Sequence, residues 1–353
     1  MHLKLWQSHI QSTGLRSTVH TSLILVCTCA VGLSLLPVQP AHAQESSVSS
    51  SSLLAETGQT RTITVAKDGS GQYSSVQSAV DSIESGNKTP VTIYVKNGTY
   101  REKITFPKDK PYITVIGENA AQTILTYDDT AASAGGTTNS SSTFVMSDHF
   151  TARNITFANT AGKNAGQAVA LYVRGDRAVF QNVRILGHQD TLYTPGSGRQ
   201  YYENCYIEGT VDFVFGSATA VFRNCELQSL GNGYITAAST PAEQPYGYVF
   251  LDCNLTRRGD VGENSVHLGR PWRPYSSVTY INTMMDSHIR PEGWNNWGNA
   301  ANEQTARYSE YNSGGPGAAG PRVGWSHTLS SDEAAAITIS KVLSGSDGWN
   351  PAN

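Results

Sequence analysis

The sequence predicts an all-β fold: a right-handed parallel β-helix in which one chain winds as a single-stranded solenoid, closed by short capping helices at its ends. Three observations carry this expectation. Several segments repeat one pattern, an alternating apolar strand followed by Asn or Asp and a second alternating stretch. The turn residues are Asn154, Asn182, Asn204, Asn224, Asp252 and Asn282, spaced 28, 22, 20, 28 and 30 residues apart, the periodicity of stacked coils. No helical periodicity separates them. The composition is also lean in charge, with 15% Asp, Glu, Lys and Arg but 33 glycines among 353 residues. Polarity must then come from uncharged side chains, which suits tight turns and polar ladders better than a helix-rich intracellular chain. A β-sandwich would repeat its strands every ~8–12 residues, without the same residue types in register.

Along the chain, residues 1–43 read as a secretory signal peptide. Lys4 and Arg16 give a positive start, Ser22 to Leu36 is an apolar run, and Ala41-His42-Ala43 is a small-residue cleavage signal. The run falls short of the ~20 residues a spanning helix needs, and no later segment is apolar enough to span. Removing these residues takes two positive charges and no negative ones, so the formal charge moves from −3 to −5. Residues 44–60 form a Ser-rich disordered leader, and residues 61–353 a single β-helix domain. Ser74 to Ile83 has apolar residues at i, i+3, i+4 and i+7, a helix that would cap the first coil. Ser331 to Leu343 starts Ser-Asp-Glu before an Ala-rich run, a second capping helix. Two of the five cysteines would leave with the signal peptide. The remaining Cys205, Cys225 and Cys253 allow one bridge with one thiol left over.

Chemistry emerges where the repeat aligns polar residues. Gln167 and Gln189 are 22 residues apart, as are Asp190 and Asp212. With coils of that length each pair stacks on neighbouring rungs roughly 5 Å apart. Two carboxyls so close cannot both ionise freely, so one becomes an acid while the other remains an anionic nucleophile or base. The amides can donate to a developing oxyanion. The structural alternative is a polar ladder that only stabilises the coils.

The sequence resembles the pectin methylesterases (pectinesterases, carbohydrate esterase family 8) over nearly all of residues 62–351. The resemblance rests on the ordered segments Val65 to Gly71, Gly98 to Glu102, Gln167 to Leu171, Gly187 to Tyr193, Gly209 to Gly216 and Leu268 to Trp272, and on Gly293-Trp294 with Trp297. It implies hydrolysis of the methyl esters of pectin, releasing methanol and pectate. Asp212 would be the nucleophile, Asp190 the general acid and then base, Gln167 and Gln189 the oxyanion hole, and Arg270 the support of Asp212. Trp272, Phe213, Tyr193 and Thr138 match substrate-binding positions. Trp294 and Trp297 are either further cleft walls or packing under a loop. His188 stands where the family commonly has an aromatic residue, either as a rim residue or as a titrating group beside Asp190. The resemblance also implies a Cys205–Cys225 disulfide, with Cys253 as a buried free thiol.

Other reaction classes find no support in the sequence. There is no G-x-S-x-G elbow, no H-E-x-x-H and no P-loop, and the nine His show no metal spacing, so no cofactor and no metal are expected. No basic stripe points to nucleic acid. The expected partner is the pectin polysaccharide, bound by a secreted monomer that is extracellular, or periplasmic in a Gram-negative host, with no membrane association. Two other readings stay open: a lyase or galacturonase on the same scaffold, and a non-catalytic polysaccharide-binding solenoid, which should lack Asp190, Asp212 or Arg270.

Overall fold

The structure, a computed structural model, describes residues 60–352. The expected signal peptide, and all but the last residue of the Ser-rich leader, lie outside the described residues. The rest winds as a right-handed parallel β-helix, as expected. Eleven strands stack in register on one face, from Arg61–Val65 through Ala178–Gln181, Arg199–Glu203, Thr219–Arg223, Tyr248–Leu251 and Ser277–Ile281 to His327–Thr328. The other strands form a second sheet that folds over two further faces. Tyr206–Gly216 and Glu226–Ala238 run across the bend between these faces.

Each predicted turn residue adopts the left-handed conformation, with φ of 52° at Asn154 and Asn182, 53° at Asn204, 50° at Asn224, 56° at Asp252 and 54° at Asn282. Asn and Asp tolerate this region best because their short polar side chains bond locally. Two pairs of them also bond to one another: Asn182 Nδ2 donates to Asn154 Oδ1 at 2.7 Å, and Asn282 Nδ2 to Asp252 Oδ1 at 3.1 Å. The ladder extends one coil past the expected repeats, where Asn312 Nδ2 donates to Asn282 Oδ1 at 2.8 Å.

Inside the first face the register stacks Phe180, Tyr202, Phe222, Phe250 and Tyr280, with ring centroids 4.5–4.7 Å apart and nearly parallel planes. Rung spacing sets this distance, so offset stacking follows from repetition of an aromatic at one coil position.

The thiols follow the same register, and this corrects the disulfide expectation. Cys205, Cys225 and Cys253 are all free and buried. Their flanking residues Tyr206, Glu226 and Asn254 pair in register, so the three cysteines stand on successive rungs with parallel Cα–Cβ vectors. Strand spacing of about 4.8 Å exceeds the Cβ separation a bridge prefers. Each Sγ turns instead to main-chain carbonyls, Cys205 to Phe180 and Glu203, and Cys225 to Tyr202 and Arg223, at 3.4–3.5 Å.

The first cap forms as expected. The helix Val76–Asp81 buries Val76, Ala79 and Val80 against the core. Its N-terminal amides on Val76 and Gln77 donate to the Glu102 carboxylate at 2.9 and 3.0 Å, satisfying orphan donors with a favourable charge. The C-terminal expectation needs correcting twice. Ser331–Ala336 and Ile339–Leu343 are separate helices, because the Thr338 side chain accepts from Lys341 N and starts a new helix. Nor do they close the coil end. Val342 and Leu343 pack on the outer side of the first face, against Tyr201, Val221 and Val249. At the last coils Ala318, Val323 and Trp325 pack against the core instead.

Candidate active site

Asp190 and Asp212 both have positive φ, 66° and 54°. Asp212 lies in the bend of Tyr206–Gly216, where pairing with the next coil shifts register on either side of Val211. A left-handed residue interrupts strand alternation, and both carboxylates face one cleft of about 530 Å³. Gln167 and Gln189 form a parallel bridge on adjoining coils and line the same cleft with Arg270. The stacking expected from 22-residue spacing is therefore present for both pairs.

The polar groups interlock. Gln167 Nε2 donates to Asp190 Oδ2 at 3.0 Å, and Gln167 Oε1 accepts from Thr137 Oγ1 at 2.9 Å. Thr137 thus orients the amide with its NH₂ toward the carboxyls, a contribution from a distant loop that coil periodicity cannot signal. Arg270 meets Asp212 in a fork, Nε to Oδ1 at 2.9 Å and Nη2 to Oδ2 at 2.6 Å, the geometry that makes such pairs directional and strong.

The two carboxyls are held in different states. Burial, and then the Asp212 charge, push Asp190 up to about 7, with only partial relief from Gln167 and Arg270. Burial raises Asp212 too, but the Arg270 pair works directly against that rise. Asp190 is thus the carboxyl pushed toward its protonated form, and Asp212 the one that Arg270 draws back toward its anion, a division of labour suited to acid and nucleophile. His188 is half-buried and does not line the cleft. Burial lowers its pKa, and its charged neighbours are Glu208, Arg258 and Lys163, so it is not a titrating partner of Asp190.

An aromatic column borders this centre. The register Phe144, Tyr172, Tyr193, Phe215, Ala237, Arg270 runs along successive coils. Tyr193 and Phe215 stack at 4.3 Å with planes 3° apart, and Trp272 leans on both. Tyr193, Trp272 and Thr138 line the cleft. Phe213 does not: it is fully buried in the solenoid core, and Phe215 takes the cleft position. The 22-residue spacing that pairs the aspartates also pairs Tyr193 with Phe215, a signal present in the sequence. Trp294 is the second correction. It is 1% exposed and packs between Tyr280 and Tyr308, whereas Trp297 is 37% exposed and forms the cleft wall over Arg270.

Residues 62–346 match the family model described as Pectinesterase. The chain belongs to the pectinesterase family. It is thereby a carboxylic ester hydrolase, a pectin methylesterase. Among curated relatives, Pectinesterase 31 of Arabidopsis thaliana is 44% identical over 287 residues, covering 78% of this chain and 90% of that protein. Among solved structures, the pectin methylesterase from carrot superposes with a TM-score of 0.76 at 34% identity, over 80% of this chain and 93% of that one. A pectin methylesterase crystallised in complex with hexasaccharide VII has a TM-score of 0.73 at 31% identity, over 84% of this chain and 99% of its own. The aligned pectinesterase segment includes every residue of the cleft described above.

Proposed function

We propose that this pectinesterase hydrolyses the methyl esters of pectin in two steps through an acyl-enzyme on Asp212. In the first, an Asp212 carboxylate oxygen attacks the ester carbonyl, and the side-chain amides of Gln167 and Gln189 donate to the oxyanion. The intermediate collapses as Asp190 gives its proton to the departing methoxide, releasing methanol and leaving an anhydride. In the second, Asp190, now a carboxylate, takes a proton from the water that attacks the anhydride. Asp212 leaves as a carboxylate in its Arg270 fork, and the products are a free galacturonate carboxyl and the regenerated proton on Asp190. No metal or cofactor has a role in this sequence.

The observation that carries the reading is the asymmetry of the two stacked carboxyls, one forked by Arg270 and one buried and raised to about 7. The aromatic column and Trp272 support sugar-ring stacking along the cleft, and a related structure holding a hexasaccharide supports a polysaccharide substrate. Pectin is an extracellular polymer, so the reading joins the signal-peptide expectation for residues 1–43 in a secreted enzyme that acts as a monomer and needs no membrane.

The test is methanol release from highly esterified pectin with a chelator present, compared with Asp212→Ala. Chelator-insensitive release that the substitution abolishes is the expected result. Unsaturated sugar products, or pectin binding without methanol, would overturn the reading.

A further inference from the structure

Arg270 is held by more than Asp212. Its guanidinium carbon lies 3.8 Å from the centroid of the Tyr234 ring and 3.7 Å from that of Trp297. Two rings this close to one carbon cannot share a face of a planar group, so the guanidinium is sandwiched, its edge left free to meet Asp212. Trp297 belongs to the cleft wall. Tyr234 does not line the cleft. It sits on Glu226–Ala238, in register with His267, and the two rings stack at 5.1 Å with planes 13° apart. His267 Nε2 lies 3.6 Å from Glu292 Oε1.

We propose that Tyr234 is a positioning residue for catalysis: with Trp297 it clamps the Arg270 guanidinium in the plane that forks onto Asp212. This rests on the reading of Asp212 as nucleophile. An arginine on a flexible stem pays entropy to hold one geometry, and a clamp on both faces removes that freedom before substrate arrives. The ring faces also favour the cation. Without the clamp the fork loosens and Asp212 loses part of what offsets its burial.

The charged and titratable groups around this assembly are few. Asp212 faces Arg270 and Asp190, with the buried Tyr308 behind it. His267 is held neutral by burial, with Arg290 and Glu292 beyond it. Arg270 is the group that offsets the burial of Asp212, so a loosened fork is read as an upward shift of the acidic limb of kcat.

The experiment compares Tyr234→Phe, Tyr234→Leu and Tyr234→Met with Asp212→Ala in the full chain, measuring kcat, KM, the pH profile of kcat and thermal melting. The Leu and Met variants are expected to lose about 10- to 30-fold in kcat with KM held within about twofold, and to shift the acidic limb of kcat upward. Phe, which keeps the ring face, should restore both. Met retains bulk without a ring and stands in where Leu does not fold. An unchanged kcat and acidic limb in Leu and Met would overturn the proposal. So would a Phe variant as impaired as Leu, a loss confined to KM, or failure of all three to fold. An active Asp212→Ala would instead sink the nucleophile assignment; an inactive one beside a normal Tyr234→Leu would sink only the clamp.

Discussion

At the scale of single residues, the chemistry rests on a carboxylic acid kept where acids are costly. Asp190 titrates near 4 in an unfolded chain and at about 7 in the fold, so the native state holds its proton more tightly. That stabilisation is complete below about pH 4 and is lost as pH rises through 7. Asp190→Asn removes the titration but keeps an acceptor for Gln167. The variant is expected to lose esterase activity yet gain about 1–4 kcal/mol of stability at pH 8 relative to wild type, with little gain at pH 4. Melts at both pH values check this, and a destabilised variant at pH 8 would show that the carboxylate is not under strain. The Arg270 fork makes a second prediction. Lys carries the same charge but only a point donor, so Arg270→Lys should lower kcat by about 10- to 100-fold, measured by methanol release. Activity near wild type would mean that charge alone suffices.

At the scale of coils and turns, the left-handed ladder is the device that repeats. Asn182→Ala puts a side chain less suited than Asn to a φ of 52° at that position and loses the bond to Asn154, and should cost about 1–3 kcal/mol. Asn182→Gly restores the backbone freedom but not the bond, so it should cost less. Denaturant melts rank the pair: equal costs would place the ladder's value in the side-chain bond, and the reverse order would show that tolerance of the left-handed backbone is not what Asn182 supplies. The thiol rungs predict that unfolding without reductant exposes Cys205, Cys225 and Cys253 together to alkylation; a pair that stays blocked until reduction would restore the disulfide. These elements also mark what was legible in advance. Coil length could be read from the spacing of Asn and Asp, and it brought Gln167 with Gln189 and Asp190 with Asp212 to one cleft. What spacing could not convey was the bend at Asp212, where register slips and the outward position passes to Phe215 rather than Phe213. Nor could spacing resolve two tryptophans three residues apart, because a loop rather than a coil decides which is buried.

At the scale of the whole described chain, a solenoid has only nearest-neighbour contacts along its axis, and anything that ties distant coils together adds cooperativity. The C-terminal helices do this from the side. Arg199 donates to Asp176 Oδ2 at 2.6 Å and to Asp347 Oδ2 at 2.9 Å, and its Nη1 reaches the Leu343 and Ser344 carbonyls at 3.2 Å. Arg177 meets Asp347 at 2.7 Å. This latch holds Val342 and Leu343 over Tyr201, Val221 and Val249, residues of three successive coils. Removing residues 331–353 would bare that apolar strip and should cost roughly 3–6 kcal/mol, given ~1.5–3 kcal/mol per buried aliphatic side chain. The cleft lies on another face and draws no residue from this segment. The truncated chain is therefore expected to melt at lower temperature while keeping its kcat well below the melt. A loss of kcat in the folded truncated chain would mean that the latch reaches the active site through the coils, and an unchanged melt would mean that the solenoid's stability is set by its stacked core alone.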